Sequence, residues 1–272
     1  VEYTYRLLLD GEPGVGGAAP GLEGLDTGAT SLPPVPGRDL VLTLVPSLQR
    51  QVETEMDRLW AQETPRWCSC LIEDVRTGAI LAVSSRPNYD PLAYSTGQPL
   101  PGQKWSAVPL ESTVNWPVTR QVEQGSTFKV ILAAAALASG KVAPERTFVC
   151  NGHLDLGGQP IGCWGKYAAH GHGRLDMAGM LANSCNLCAA QIALVLGKSY
   201  YRDFLDRCGI GHDPQAGFPG EAIGHLHALE DIRPRDLGTM AFGQNVSCSS
   251  LQLTAIVAGL VNDGKMMRPR LV

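Results

Sequence analysis

The sequence predicts a mixed α/β fold, and three observations carry the prediction. Two short β-rich runs, Cys68–Val75 and Ala79–Ser84, flank the turn Arg76-Thr77-Gly78. A nearly all-apolar helical run opens at Ser126 and stops at Gly140. Helical periodicity then recurs near 177–196, 199–208, 233–241 and 250–262.

Residues 1–39 are rich in Gly and Pro and lack periodicity, so they read as a linker or irregular arm leading into a domain that occupies 40–272. Val41-Leu42-Thr43-Leu44 suits a strand or an extended entry. Ser47 is the expected cap of a helix to about Gln62, with Leu48, Val52, Met56 and Leu59 at helical spacing. The run 68–84 reads as a hairpin because Gly78 can supply a positive φ between two strand-forming segments. Residues 86–118 hold several Pro and Gly and read as an irregular crossing. The helix from Ser126 is apolar nearly all round and is expected to be buried. Residues 147–173 read as a loop-rich insertion, and Met267–Val272 as the lead-in to a further strand.

The 272 residues suffice to bury a core, with 44% apolar and 18% charged residues. A net charge of −4 without a basic run excludes the usual nucleic-acid-binding surface. No run approaches the roughly 18 apolar residues of a membrane span. Residue 1 is Val and no signal segment follows it, so the chain reads as part of something longer. Eight cysteines at 68, 70, 150, 163, 185, 188, 208 and 248 leave disulfide, metal and free thiol all open by arithmetic alone.

Chemistry concentrates at two places. Ser126-Thr127-Phe128-Lys129 puts a hydroxyl and an amine one turn apart on one helical face. A Ser hydroxyl needs a base, and a Lys amine serves as one when burial lowers its pKa. The bland alternative is an N-cap serine beside a solvated lysine, but a lysine heading an apolar helix fits that poorly. Ser184-Cys185-Asn186 stands in the middle of an Ala-rich helical region, where its poor helix formers suggest a break with side chains turned toward a site. Ser184 could relay a proton and Asn186 hold a substrate amide; a simple helix cap is the alternative.

Ser-x-x-Lys followed by Ser-x-Asn resembles the transpeptidase domain of class B penicillin-binding proteins. Further matches in order are Leu42-Thr43-Leu44 with Leu48-Gln49, Thr77 to Ala82, Asn88-Tyr89-Asp90-Pro91, Asn115, Ala241-Phe242-Gly243-Gln244 and Leu251-Gln252-Leu253. The resemblance implies an antiparallel sheet flanked by helices. It implies a peptidoglycan D,D-transpeptidase acting through a serine acyl-enzyme, acylated by β-lactams, with Ser126, Lys129, Ser184 and Asn186 as its catalytic groups and no organic cofactor. It also implies the elongation (rod-shape) type, a place on the outer face of the bacterial membrane and a membrane glycosyltransferase as partner. The family's third motif, Lys-Thr/Ser-Gly, follows none of the six lysines, so the domain is expected to be incomplete at its C-terminal end. Gln124 stands where the family usually has Pro. Two other readings remain: a class D-like β-lactamase or β-lactam sensor, and a non-catalytic scaffold of the same fold.

Cys150, Cys163, His172 and Cys185 form a C-x12-C-x8-H-x12-C series, a donor set that suits tetrahedral zinc. The resemblance adds that some elongation-type enzymes hold zinc in this insertion, with ligands matching Cys163, His172 and the middle of Ser-x-Asn. A Cys150–Cys163 disulfide is the rival arrangement. His170 and Cys188 compete as ligands, although Cys188 suits a small core position better.

Overall fold

The computed structural model describes residues 4–13, 33–90 and 110–272. Pro91 and the central parts of the 11–37 arm and of the 86–118 crossing lie outside the described residues.

The hairpin forms as the sequence indicates. Strands Cys68–Glu73 and Ile80–Arg86 pair antiparallel, with Leu71 opposite Val83 and a register shift between Ile72 and Glu73. At the turn, Gly78 has φ +71°, and a Cβ there would lie 2.2 Å from the Arg268 carbonyl oxygen, so the approach of the chain end requires glycine. The lead-in read at 267–272 does begin pairing. Ile80 N–H donates to the Arg270 carbonyl and Arg270 N–H to that of Gly78, both at 2.8 Å.

The helix Pro46–Glu63 packs on the second strand. It starts at Pro46, not at a Ser47 cap: Val45 precedes it in extended conformation with no side-chain cap bond. Proline at the first helical position has its φ preset and has no N–H to satisfy, so a capping hydroxyl is unnecessary. Val52 and Met56 are buried, whereas Leu59 turns outward. Residues 41–44 are extended but form no strand; Thr43 N–H donates to the Leu271 carbonyl and Val45 N–H to that of Leu81. The Gln49 side-chain amide donates to the Val83 carbonyl and accepts from the Val83 N–H, at 2.9 and 3.0 Å. Val45 and Gln49 therefore cover the outer edge of the second strand as a neighbouring strand would. Buried Arg86 ties the same strand to Glu53 and Asp57 of the helix, each at 2.7 Å.

The larger core surrounds two helices, Lys129–Ser139 and Asn186–Leu196. The first is buried through Ile131, Leu132, Ala133, Ala135 and Ala136, while Val130 and Leu137 reach solvent; Gly140 ends it at φ +65°. It begins at Lys129 and not at Ser126, because residues 125–128 form a tighter 3-10 turn. The single helix expected over 177–196 is two helices, Met177–Ala182 and Asn186–Leu196. The insertion folds as short antiparallel pairs, 148–150 with 173–175 and 153–155 with 160–162. Helices Lys198–Arg207, Pro234–Met240 and Ser250–Val261 complete the layer. No helix among the described residues is long and apolar enough to cross a membrane.

Glu73, at the end of the first strand, has both carboxylate oxygens shielded from solvent and no hydrogen-bond partner for either. Burial, reinforced by Asp74, pushes its carboxyl up to about 7. The folded value lies above the unfolded one, so the protonated form's stability is complete below about 4.5 and is lost as pH rises through about 7. Glu73→Gln should therefore raise the melting temperature at pH 8, by about 1 kcal/mol of stability after solvent screening is allowed for, and leave it unchanged at pH 4. Melting curves at the two pH values check this; an equal shift at both would show that ionisation is not the cause.

Candidate active site and adjoining metal-ligand cluster

Gly125, at φ +60°, turns the chain into the 3-10 segment, and Thr127 Oγ1 donates to the Gln124 carbonyl at 2.8 Å. Ser126 is left exposed at the head of the turn, while Lys129, three residues on, is only 1% exposed. The break between the helices supplies the opposing wall. Ser184 takes φ +49°, a left-handed conformation costly for a residue with a side chain. It is held there by Ser184 N–H to the Leu181 carbonyl at 3.1 Å and Cys185 N–H to that of Met180 at 2.9 Å. The reversal turns Ser184 and Asn186 toward Lys129, and the Cys185 sulfur toward the insertion.

Lys129 Nζ consequently lies 2.8 Å from Ser126 Oγ, 2.9 Å from Ser184 Oγ, 2.8 Å from the Ser184 carbonyl and 2.8 Å from Asn186 Oδ1. Ser184 Oγ is 2.9 Å from Ser126 Oγ. A count of hydrogens gives these contacts their direction. The Ser184 carbonyl and the Asn186 amide oxygen can only accept, so they take two amine hydrogens. A neutral amine then keeps a lone pair for a hydroxyl hydrogen, whereas an ammonium has three hydrogens for four acceptors. Burial lowers the Lys129 pKa to about 8, against the opposing pull of any negative charge on Cys185 and Cys163. A neutral amine aimed at an exposed hydroxyl can remove that hydroxyl's proton as it attacks an electrophile. The Phe242 ring closes the far side, its centroid 5.8 Å from Nζ.

The four expected ligands come together behind this wall. Sulfur and His172 Nδ1 atoms of Cys150, Cys163, His172 and Cys185 all lie within 4.8 Å of one another. His172 Nδ1 is 3.5 Å from Cys150 Sγ and 3.4 Å from Cys163 Sγ, and Cys163 Sγ is 4.0 Å from Cys185 Sγ. Tetrahedral zinc, with bonds of about 2.3 Å to sulfur and 2.0 Å to nitrogen, would set its ligand atoms about 3.5–3.8 Å apart. His172 Nδ1 stands at that spacing from Cys150 and Cys163, the Cys163–Cys185 separation is slightly wider, and three thiols with one imidazole fit that chemistry. Cys150 and Cys163 are not bridged to each other in this structure. Burial pushes the Cys163 thiol up to about 11, and the side-chain contact with Cys188, followed by burial, pushes the Cys185 thiol upward. A divalent cation would supply the charge that lets these sulfurs ionise.

Local packing fixes the ligands. A Cβ at Gly171 would lie 1.9 Å from the Cys150 carbonyl oxygen, so Gly171 lets the strand carrying Cys150 approach His172. Tyr167 stacks on His172 with centroids 3.7 Å apart, and buried His172 Nε2 makes no hydrogen bond. Trp164 packs edge-on against Tyr167 and donates Nε1–H to the Asn183 carbonyl at 3.1 Å, which joins the insertion to the Ser184 turn. His170 is exposed and outside the cluster, and the Cys188 sulfur faces the Phe148 carbonyl in the core. Cys68 and Cys70 lie in the first strand, and Cys208 and Cys248 are buried core residues. Sequence reasoning assigned no role to Phe242, Gly243 or the Trp164 indole; an aromatic beside an expected ligand and an Ala-Phe-Gly-Gln match were their available signals.

Three comparisons bear on the chain. The family described as Penicillin binding protein transpeptidase domain matches residues 68–272. Stage V sporulation protein D of Bacillus subtilis (strain 168) is 34% identical over 87% of this chain and 35% of its own length. Probable peptidoglycan D,D-transpeptidase PenA of Neisseria flavescens is 30% identical over 90% of this chain and 57% of its own length. The chain thus spans about a third to just over half of these relatives. Among solved structures, the TP domain of Burkholderia pseudomallei penicillin-binding protein 3 shares the fold, with TM-score 0.71 and 24% identity over 87% of this chain and 62% of that one.

Proposed function

Because the chain belongs to the penicillin-binding protein transpeptidase family, we propose that it works as a serine peptidoglycan D,D-transpeptidase with Ser126 as nucleophile and Lys129 as its base. The observation that carries this reading is the buried Lys129 amine, held by two carbonyl acceptors with its remaining valence toward Ser126 Oγ. Ser126 Oγ attacks the carbonyl of the terminal D-Ala-D-Ala bond as its proton passes to Lys129 Nζ. The C–N bond breaks, and Ser184, within reach of both groups, delivers a proton to the departing D-Ala amine. Asn186 orients Lys129 and faces the substrate amide. An amine of a second stem peptide then attacks the acyl-enzyme, gives its proton to the Lys129–Ser184 pair, and Ser126 Oγ leaves with that proton. Penicillin follows the same first step, but its leaving group stays tethered.

The unit is taken as residues 40–272 with 1–39 as a leading arm, facing the outside of a membrane and working beside a membrane glycosyltransferase. Assignment to the elongation type rests on the Cys/His cluster; depletion should round rod-shaped cells, and filamentation instead would place the protein in division. A β-lactamase fits less well beside relatives named for transpeptidases and sporulation. A scaffold without chemistry leaves the assembled Ser126–Lys129–Ser184–Asn186 set without a purpose.

Fluorescent penicillin should label the natural full-length protein, with the adduct on the peptide containing Ser126. A label mapped elsewhere, or none on folded protein, overturns the reading; rapid release of hydrolysed antibiotic would favour the β-lactamase. The labelling rate should also rise with pH to a plateau above about 8, since the neutral amine is the active base. Two pH units below that value the rate should be about 100-fold lower. A flat profile between pH 6 and 9 would remove Lys129 from the role of base.

A further inference from the structure

The turn that carries Ser126 is gripped residue by residue from across the fold. Asn245 N–H donates to Glu123 Oε1 at 2.7 Å, Gln124 Nε2 donates to the Cys248 carbonyl at 2.8 Å, and Gly125 N–H donates to the Gly243 carbonyl at 3.2 Å. Just before them, Gln121 and Val122 pair with Ser249 and Cys248. The gripping loop is anchored in turn. Gly243 N–H donates to the Met240 carbonyl and Gln244 N–H to that of Thr239, at the end of a buried helix. Asn245, at φ +57°, donates Nδ2–H to Thr239 Oγ1 at 2.8 Å. The closest approach is at Gly243. A Cβ there would lie 2.3 Å from the Gly125 carbonyl oxygen, 2.7 Å from the Gly125 nitrogen and 2.9 Å from Phe128 Cβ.

We propose that the Gly243–Asn245 turn is a positioning clamp for the acylation step: it fixes the Gly125 turn and so holds Ser126 Oγ on Lys129 Nζ. The proposal rests on the transpeptidase reading given above. It adds residues that touch neither substrate nor the reacting atoms. Among the described residues, nothing lies within 4 Å of the position a Cβ would take on Gly125 itself. On the inner side Gly243 meets Gly125 itself, through one hydrogen bond and a contact that any side chain would push apart. Moving that contact by the better part of an ångström shifts the head of the turn, and displacement on that scale costs about 100-fold in a reaction that depends on alignment.

The test separates the noncovalent binding constant of penicillin from the acylation rate constant, by stopped-flow on the full-length protein. Gly243→Ala should lower the acylation rate constant about 100-fold and leave the binding constant nearly unchanged. Gly157→Ala is the control: Gly157 also has positive φ, +73°, but open space around it, so it carries the backbone strain without the collision and should acylate normally. Glu123→Ala should slow acylation about tenfold, and Glu123→Gln, which still accepts the Asn245 N–H, should restore it. Gly243→Ala acylating at the wild-type rate overturns the clamp. If Gly243→Ala does not fold, the Glu123 pair decides, and equal rates for Glu123→Ala and wild type overturn it. Wild-type protein that is not acylated at Ser126 overturns the transpeptidase reading, and the clamp falls with it; the protein that fails identifies which idea is at fault.

Discussion

Lys129→Ala is expected to slow penicillin acylation of Ser126 by about 10³–10⁴-fold, and Ser126→Ala to abolish labelling altogether. The loss follows from what Nζ touches. With the amine gone, no group among the described residues within hydrogen-bond reach of Ser126 Oγ can take its proton except Ser184, itself a hydroxyl. The Ser184 carbonyl and Asn186 Oδ1 also lose their shared donor, so the opposing wall loosens. Lys129→Arg discriminates between charge and basicity. A guanidinium keeps the positive charge but does not give up its proton, so it should be as inactive as Ala. An active Arg variant would mean that the group serves electrostatically and not as a base. Lys129→Met fills the same apolar space and should fold while remaining unlabelled. A collapse of folding in every Lys129 variant would make the residue structural first.

How far the sequence reached depends on how local each signal is. Ser126 and Lys129 share one turn, so their meeting is written in three residues of spacing, even though the turn proved 3-10 and not α. Ser184 and Asn186 lie 58 and 60 residues from Ser126 in the sequence; they were legible because polar residues in an Ala-rich helical run conflict with burial. The conflict resolves as a break with Ser184 at positive φ, which a periodicity reading joins into one helix. The ligand cluster was legible by residue type and illegible by geometry, because nothing in the spacing 150, 163, 172, 185 distinguishes His172 from His170. Main-chain contacts left the weakest trace. Gln49 covering the edge of the second strand and Gly243 against Gly125 involve backbone approaches, and the motif matches that contain these two residues say nothing of what either one touches.

Removing metal from the insertion is the second large effect to expect. Elemental analysis is expected to find about one zinc per chain, with Cys150, Cys163, His172 and Cys185 as the candidate ligands. Three buried thiols and an imidazole have little reason to converge unless a cation balances the ionised form of the sulfurs. Cys185 is the residue that connects this cluster to chemistry. It caps the helix that starts at Asn186, accepts the Cys188 N–H at its sulfur, and sits between the two residues that hold Lys129. A metal bond at Cys185 would therefore fix the strained Ser184 backbone from behind. Chelation, or Cys185→Ser, should lower the melting temperature by about 10 °C. It should also raise hydrogen exchange across 148–186 and slow acylation without touching Ser126 or Lys129. Elemental analysis, exchange and melting read the metal directly, apart from activity. Metal-free protein with an unchanged melting curve, or a Cys150–Cys163 bridge found by peptide mapping, would leave the cluster as packing and the main-chain hydrogen bonds to Leu181 and Met180 as what holds Ser184 at φ +49°.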